Sequence, residues 1–268
     1  MIVDHGPVAP DLPGATHRGV LWQAKRGAFL LDVPDAASYL VTDGERITVD
    51  AAPDADPADV DRYLHTTPLA ALHLERGESA LHAAWVVAPD GDSAVVLAGD
   101  SSTGKSTLAT ALWRRGWSVG ADDLCPLAVA DDGRPMAMPT STELLLWPGT
   151  VERFDGLADH AADAGARHAV ALAPHVVTEP RPITAIWWLS HHNRDDIETT
   201  PLTGVARFHA FSTMAYNSRV ADALLDRAAH LRTVAALNDS GVPVTRLVTP
   251  RGRWAVEEAA DLVSATYE

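Results

Sequence analysis

Ala94-Val95-Val96-Leu97-Ala98-Gly99-Asp100-Ser101-Ser102-Thr103-Gly104-Lys105-Ser106-Thr107-Leu108 joins an apolar run to the start of an amphipathic segment through a complete GxxxxGK[ST] pattern. The run Ala94 to Ala98 has the length and branching of a buried strand, and Lys105, Leu108, Ala109, Ala111 and Leu112 continue as a helix. Strand, glycine-bounded loop and helix in that order are the context in which this pattern holds phosphate. Glycines let successive backbone N–H groups curl around phosphate oxygens, and the helix N-terminus adds partial positive charge. Gly99, Asp100, Ser101, Ser102, Thr103, Gly104, Lys105, Ser106 and Thr107 are therefore the expected nucleotide-binding residues. Lys105 would neutralise phosphate oxygens and Ser106 would ligate Mg2+.

The chain after the loop narrows the chemistry. A helix from Lys105 to about Arg115 moves away from the phosphates by about 15 Å, at about 1.5 Å per residue. Gly116 ends it, and Trp117-Ser118-Val119-Gly120-Ala121 reads as a strand that returns to the phosphate end at about 3.3 Å per residue. A right-handed crossover makes this strand parallel to the first, so that Asp122 and Asp123 emerge at the loop's edge of the sheet. Two adjacent carboxylates there can divide two tasks, one holding Mg2+ and the other accepting a proton from an attacking hydroxyl. Transport and motor ATPases carry their Mg2+-linked Asp on a more distant apolar strand, often followed by Glu. No such segment is found here.

Leu81-His82-Ala83-Ala84-Trp85-Val86-Val87, the Gly99 to Thr107 loop, and Gly120-Ala121-Asp122-Asp123-Leu124 together resemble the HPr kinase/phosphorylase superfamily. The likeness is to its short HPr-kinase-like relatives, members of which occur in peptide natural-product gene clusters. It is strongest from about Leu74 to Trp147 and includes Leu146-Trp147-Pro148; Val242 to Leu247 also resembles a late strand of these proteins. The resemblance implies an α/β fold with a P-loop core related to that of phosphoenolpyruvate carboxykinase. It also implies transfer of the γ-phosphoryl group of ATP to an alcohol acceptor. Carried over by position, Asp122 is the general base, Asp123 the Mg2+ partner alongside Ser106, and His82 an auxiliary group near the acidic pair, with Lys105 on the phosphates. The base and metal roles can be exchanged between the two aspartates. The glycine-rich basic region that follows the core in true HPr kinases is not found, which separates this chain from regulation through HPr. The loop reads Ser-Ser-Thr where a Ser-Gly pair is commoner.

Composition fits a soluble enzyme. The chain has 268 residues, of which 47% are hydrophobic, enough for one large core or two small ones. No apolar run approaches the roughly 20 residues that span a bilayer, and Met1 to Pro7 lacks the pattern of a secretory signal. Cys125 is the single cysteine, so an intrachain disulfide is impossible and a cytoplasmic location is expected. The net charge of −15 disfavours binding to nucleic acid or anionic membranes and would attract a basic peptide or an amine-bearing substrate.

Two parts are expected. Residues 1–77 read as a small N-terminal unit: short apolar segments alternating with turns from Thr16 to Asp50, then helices over Pro57 to Leu64 and Pro68 to Arg76. Residues 78–268 read as the catalytic part. Within it, a hairpin turns at Pro89-Asp90-Gly91-Asp92 and a second at Asp131-Asp132-Gly133. Ile183 to Leu189 is a buried strand, Arg219 to Leu237 a long amphipathic helix, Val242 to Val248 a strand and Trp254 to Val263 a helix. Arg153, Arg207, Arg219 and Arg246 are candidate cations for a developing oxyanion, and Ala206 to Arg219 a candidate acceptor-side region. Ser190-His191-His192-Asn193-Arg194-Asp195-Asp196 reads as an exposed loop, since adjacent histidines point in different directions.

The expectation is thus an ATP- and Mg2+-dependent kinase whose acceptor is a Ser or Thr of a precursor peptide. A small hydroxyl-bearing metabolite is the alternative acceptor, and a non-catalytic, nucleotide-regulated peptide-binding module the alternative class.

Overall fold

Alternation of buried and half-exposed residues builds the first unit. In the computed structural model, which describes residues 1–213, 218–224 and 227–267, β1 (Ile2–His5), β2 (His17–Arg18), β3 (Trp22–Lys25), β4 (Ala28–Val33), β5 (Ala37–Thr42) and β6 (Arg46–Ala51) form one sheet. Its order is β1-β6-β5-β4-β3-β2. β2 to β6 pair antiparallel, as the turn signals at Gly27 and Asp43-Gly44 require, whereas β1 adds in parallel to β6. Tyr39, Val41, Ile47 and Val49 are buried at alternate positions. The helices α1 (Pro57–Leu64) and α2 (Thr67–Glu75) follow, the first capped by Asp56 and started by Pro57, and Tyr39 donates its hydroxyl to the carbonyl of Val60 at 2.8 Å. By compactness this unit comprises Met1–Ala80 and Ala215–Thr233.

The second unit, Leu81–Met214 and Val234–Glu268, holds a larger sheet. After β7 (Ser79–Leu81) the chain bends at His82 and continues as β8 (Ala83–Val87) and β9 (Ala94–Ala98), both buried throughout. The loop leads into α3 (Lys105–Arg114), then β10 (Ser118–Ala121), β11 (Cys125–Val129), β12 (Pro135–Ala137) and β13 (Glu143–Leu146). A short helix α4 (Pro148–Val151) precedes β14 (Ala161–Ala164), β15 (Arg167–Ala171), the long β16 (Arg181–His192) and β17 (Glu198–Pro201). Helices α5 (Gly204–Thr213), α6 (Ser218–Leu224) and α7 (Arg227–Asp239), then β18 (Val244–Pro250) and α8 (Val256–Ser264), complete the chain.

The sheet runs β10-β8-β9-β16-β12-β11, with β18 beside β16 and β17 beside β18. β9, β16 and β18 are mutually parallel. β10 runs in the same direction as β9, as the crossover requires, but β8 lies between them and pairs antiparallel with both. Both faces are covered, which is why these strands read as unbroken apolar runs. Ala84, Val86, Val95 and Leu97 face α3 and α8, while Ala83, Trp85, Val96 and Ala98 face a second core containing Phe211, Val234 and Leu237. Arg115 fixes the foot of α3 to α8 through Glu257 at 2.8 Å and Asp261 at 2.7 Å. β13, β15 and β14 make a separate three-stranded sheet, one face of which, Leu144, Leu146 and Val170, joins the α3 core.

Several expectations shift. His191 and His192 end strand β16 instead of lying in a loop, because its ladder with β18 extends through His192 and Pro250. The stretch Arg219 to Leu237 contains the two helices α6 and α7, and Leu225 and Asp226 lie outside the described residues. No described helix is long and apolar enough to cross a membrane.

Candidate functional site

Three segments distant in sequence meet where β9 ends. Gly99 leaves the strand with φ +144°, and a Cβ there would stand 2.5 Å from the carbonyl oxygen of Leu189 on neighbouring β16, so only glycine fits. Ser102 takes φ +65° and Gly104 φ +91°, turning the loop tightly into the N-terminus of α3. Ser102 thus carries a left-handed conformation without being glycine. His191 steadies it: Nε2 lies 3.2 Å from the carbonyl oxygen of Ser102, and Nδ1 2.9 Å from Thr249 Oγ1. The Lys105 ammonium donates to the carbonyls of Gly99 at 2.9 Å and Asp100 at 3.1 Å. Burial lowers its pKa, against the charges of Asp123, Asp122 and Asp100.

The return strand delivers the acidic pair. A Cβ on Gly120 would fall 2.1 Å from the buried Trp85 ring, so the absent side chain lets Trp85 lie across β10, where the ladder slips between Val119 and Ala121. Ser106 donates its hydroxyl to Asp122 Oδ1 at 2.7 Å, and the Leu145 N–H donates to Oδ2 at 3.3 Å. Asp122 keeps some accessible surface, yet its carboxyl is enclosed. Burial pushes its pKa up to about 6, with the Ser106 hydrogen bond opposing and the charge of Asp123 reinforcing. Asp123 follows with φ +78°, a strained conformation for a side-chain-bearing residue. Its Oδ1 lies 3.0 Å from His82 Nδ1, and His82 Nε2 lies 3.4 Å from Ser101 Oγ. The bend between β7 and β8 turns His82 out of the apolar strand to bridge loop and aspartate. Burial would raise Asp123, but the His82 hydrogen bond and the charges of His82, Arg167 and Lys105 hold its pKa below the ordinary value.

The structure brings the Gly99 to Thr107 loop, Asp122, Asp123 and His82 together. None of the expected arginines has a described contact with the acidic pair, although Arg153 and Arg246 touch Trp254 and Ser190, which line the cavity beside the loop. Arg153 lies over the Trp254 ring, Arg207 donates to the carbonyl of Leu237 at 2.8 Å, and Arg246 donates to Ser190 Oγ at 3.1 Å. A further cation, Arg167 of β15, acts on Asp122, Asp123 and Lys105, and sequence reasoning missed it because no motif surrounds it. Of the expected acceptor-side region, 206–213 lies in α5 and Met214 to Asn217 lie outside the described residues.

A cavity of about 720 Å³ opens on the loop, lined by Ser102, Gly104, Thr107, His191, Thr249 and Trp254 among others, and neither aspartate lines it. His192, Asp196 and Glu198 cluster within 4.8 Å, but Arg194 already fills that space, donating to His192 Nδ1 at 3.1 Å and to Glu198.

The chain has a mixed α/β fold with several sheets. No family model matches it, and no curated protein does. Among solved structures it bears a distant resemblance to the Hpr(Ser) kinase/phosphatase from Coxiella burnetii, with 15% identity over 70% of this chain and 90% of that one and a TM-score of 0.36.

Proposed function

We propose that the chain is an ATP- and Mg2+-dependent kinase that transfers the γ-phosphoryl group to a hydroxyl. The observation that carries this reading is the convergence of the Gly99–Ser106 loop, the Asp122-Asp123 pair and His82 through the Ser106–Asp122 and Asp123–His82 contacts. Loop N–H groups and Lys105 would hold the β- and γ-phosphates, and the adjacent cavity, within the usual size of ligand pockets, has room for the nucleoside. The P-loop core is read as part of a catalytic domain within 78–268, and residues 1–77 as an N-terminal β-rich unit.

The acidic pair fits a divalent cation. Ser106 Oγ and Asp122 Oδ1, already 2.7 Å apart, with the adjacent Asp123 carboxylate offer the oxygen ligands that Mg2+ takes. Mg2+ bound there would neutralise phosphate charge. The geometry favours the exchanged assignment of the two aspartates: Ser106 and Asp122 as the Mg2+ pair, as loop Ser and strand-end Asp are paired in other P-loop enzymes, and Asp123 as the base. The oxygens of Asp122 are engaged, whereas the Asp123 side chain is 40% exposed and oriented by His82. In the step, the acceptor oxygen forms a bond to the γ-phosphorus. The bond from that phosphorus to the β–γ bridging oxygen breaks, its electrons leave with ADP, and the hydroxyl proton passes to Asp123.

The acceptor is read as a Ser or Thr hydroxyl of a precursor peptide, the acidic surface favouring a basic peptide. The test is intact-mass spectrometry of candidate peptides after incubation with the protein, ATP and Mg2+. One added phosphoryl group, absent with Lys105→Ala, supports the reading. Tight ATP binding with every peptide unmodified turns the reading toward a metabolite acceptor or a nucleotide-regulated binding module.

A further inference from the structure

Arg167 enters the site by strand register. In the β13–β15 ladder Leu145 stands opposite Ala169 and Leu146 opposite His168, so Leu144, Leu146 and Val170 share the core face while Leu145 and Ala169 share the other. Alternation puts Trp147 and Arg167 on that second face, one step further along. β13 is an edge strand of this sheet, and Asp122 caps that edge by accepting the N–H of Leu145. The Arg167 guanidinium has crossed from β15 and lies 4.9 Å from the centroid of the Trp147 ring, which is 53% exposed. Among the described residues this guanidinium has no hydrogen bond and no ion pair, so its five N–H donors are uncommitted while a ring holds it in place.

We propose that Arg167, seated on Trp147, binds the oxygens of the γ-phosphoryl group and is the residue by which the site distinguishes a nucleoside triphosphate from a diphosphate. This rests on the nucleotide reading above. Lys105 is tied to the loop side of the site through Gly99 and Asp100. A group in transfer spreads charge over its outer oxygens and needs a cation on the side the acceptor approaches as well. Arg167 reaches the acidic pair from another sheet, and its planar fork suits two phosphate oxygens at once. It also lowers both carboxyls and Lys105 electrostatically, as a cation close to all three must.

Calorimetric titration of Mg·ATP and Mg·ADP into the full chain tests this without a known acceptor. Arg167→Gln is expected to weaken ATP at least tenfold and ADP less than threefold. Trp147→Leu, which keeps the cation but removes its seat, falls between. An unchanged ratio of the two affinities, or an equal loss of both, overturns the role of Arg167. A wild-type chain that binds neither nucleotide overturns the nucleotide reading itself. If Arg167→Gln fails to fold by circular dichroism, Arg167→Lys carries the test, because an ammonium keeps the charge but not the fork. It should lose at least threefold in ATP over ADP, and an unchanged ratio overturns the proposal.

Discussion

Asp122 and Asp123 are neighbours in sequence with opposite surroundings, and the exchanged roles proposed for them rest on geometry, since the pKa shifts alone, up at Asp122 and down at Asp123, would make Asp122 the stronger base. Asp122 lies against Ser106 and the Leu145 N–H, and burial raises its pKa to about 6; Asp123 is turned by its φ of +78° toward His82, and its pKa is lowered. Removing a base that acts only in transfer spares ground-state binding, whereas removing the cation's carboxylate weakens it. Asp123→Asn should therefore leave Mg·ATP affinity within about threefold while cutting transfer by about 10²–10⁴. Asp122→Asn should instead weaken ATP binding chiefly when Mg2+ is present. Titration with and without Mg2+, alongside transfer rates, checks both; the reverse pattern would restore Asp122 as the base. At this scale the motif residues were legible because phosphate chemistry constrains residue type at fixed spacing. Arg167 was not, because it follows Gly165 and Ala166 with no pattern of its own and reaches the site only through the β13–β15 register.

Among the elements, β10 depends on a glycine to deliver the acidic pair. Trp85 is fully buried, donates its indole N–H to the Met138 carbonyl at 3.1 Å, and occupies the space above Gly120. A methyl at position 120 must push a large ring that is hydrogen-bonded on one side and packed on the others. Overpacking of this kind costs about 1–3 kcal/mol. Gly120→Ala should lower unfolding free energy in urea by that amount, and because the bulge aims Asp122, transfer should fall too. A change under about 0.5 kcal/mol would mean that Trp85 can move aside and does not set the register. Element type was readable here from apolar runs and turn residues: β9 and α1 have their expected bounds. Neighbour relations were not. The crossover fixes the direction of β10, but the antiparallel insertion of β8 between β10 and β9 depends on which apolar strand best covers the sheet, and every candidate is apolar on both faces. The pairing of His191 with Thr249 was hidden for the same reason, since the ladder between β16 and β18 joins segments far apart in the chain.

Taken over the whole molecule, 36 acidic against 21 basic side chains give a net charge of −15, and this surplus sets how the chain responds to salt. Several ion pairs among the described residues are exposed: Arg18–Asp11, Arg134–Asp132 and Arg194–Asp196 have both partners half exposed or more. Pairs of this kind contribute about 0–1 kcal/mol each and weaken in salt. The unpaired carboxylates act differently, because their mutual repulsion extends over about 30 Å at 0.01 M ionic strength and about 10 Å at 0.1 M. That repulsion penalises the compact state more than the expanded one. Screening should then remove more repulsion than attraction, and the thermal midpoint should rise by a few degrees as NaCl goes from about 10 to about 150 mM, the order of shift produced by about 1 kcal/mol in a chain of this size. Scanning calorimetry at the two salt concentrations is the measurement. A midpoint that falls would mean that the ion pairs, Arg115 with Glu257 and Asp261 foremost, outweigh the surplus charge. Those two pairs anchor α3, the helix on whose N-terminus the loop rests, so a fall that disappears in Arg115→Gln would tie salt sensitivity to the candidate site instead of to the surface at large.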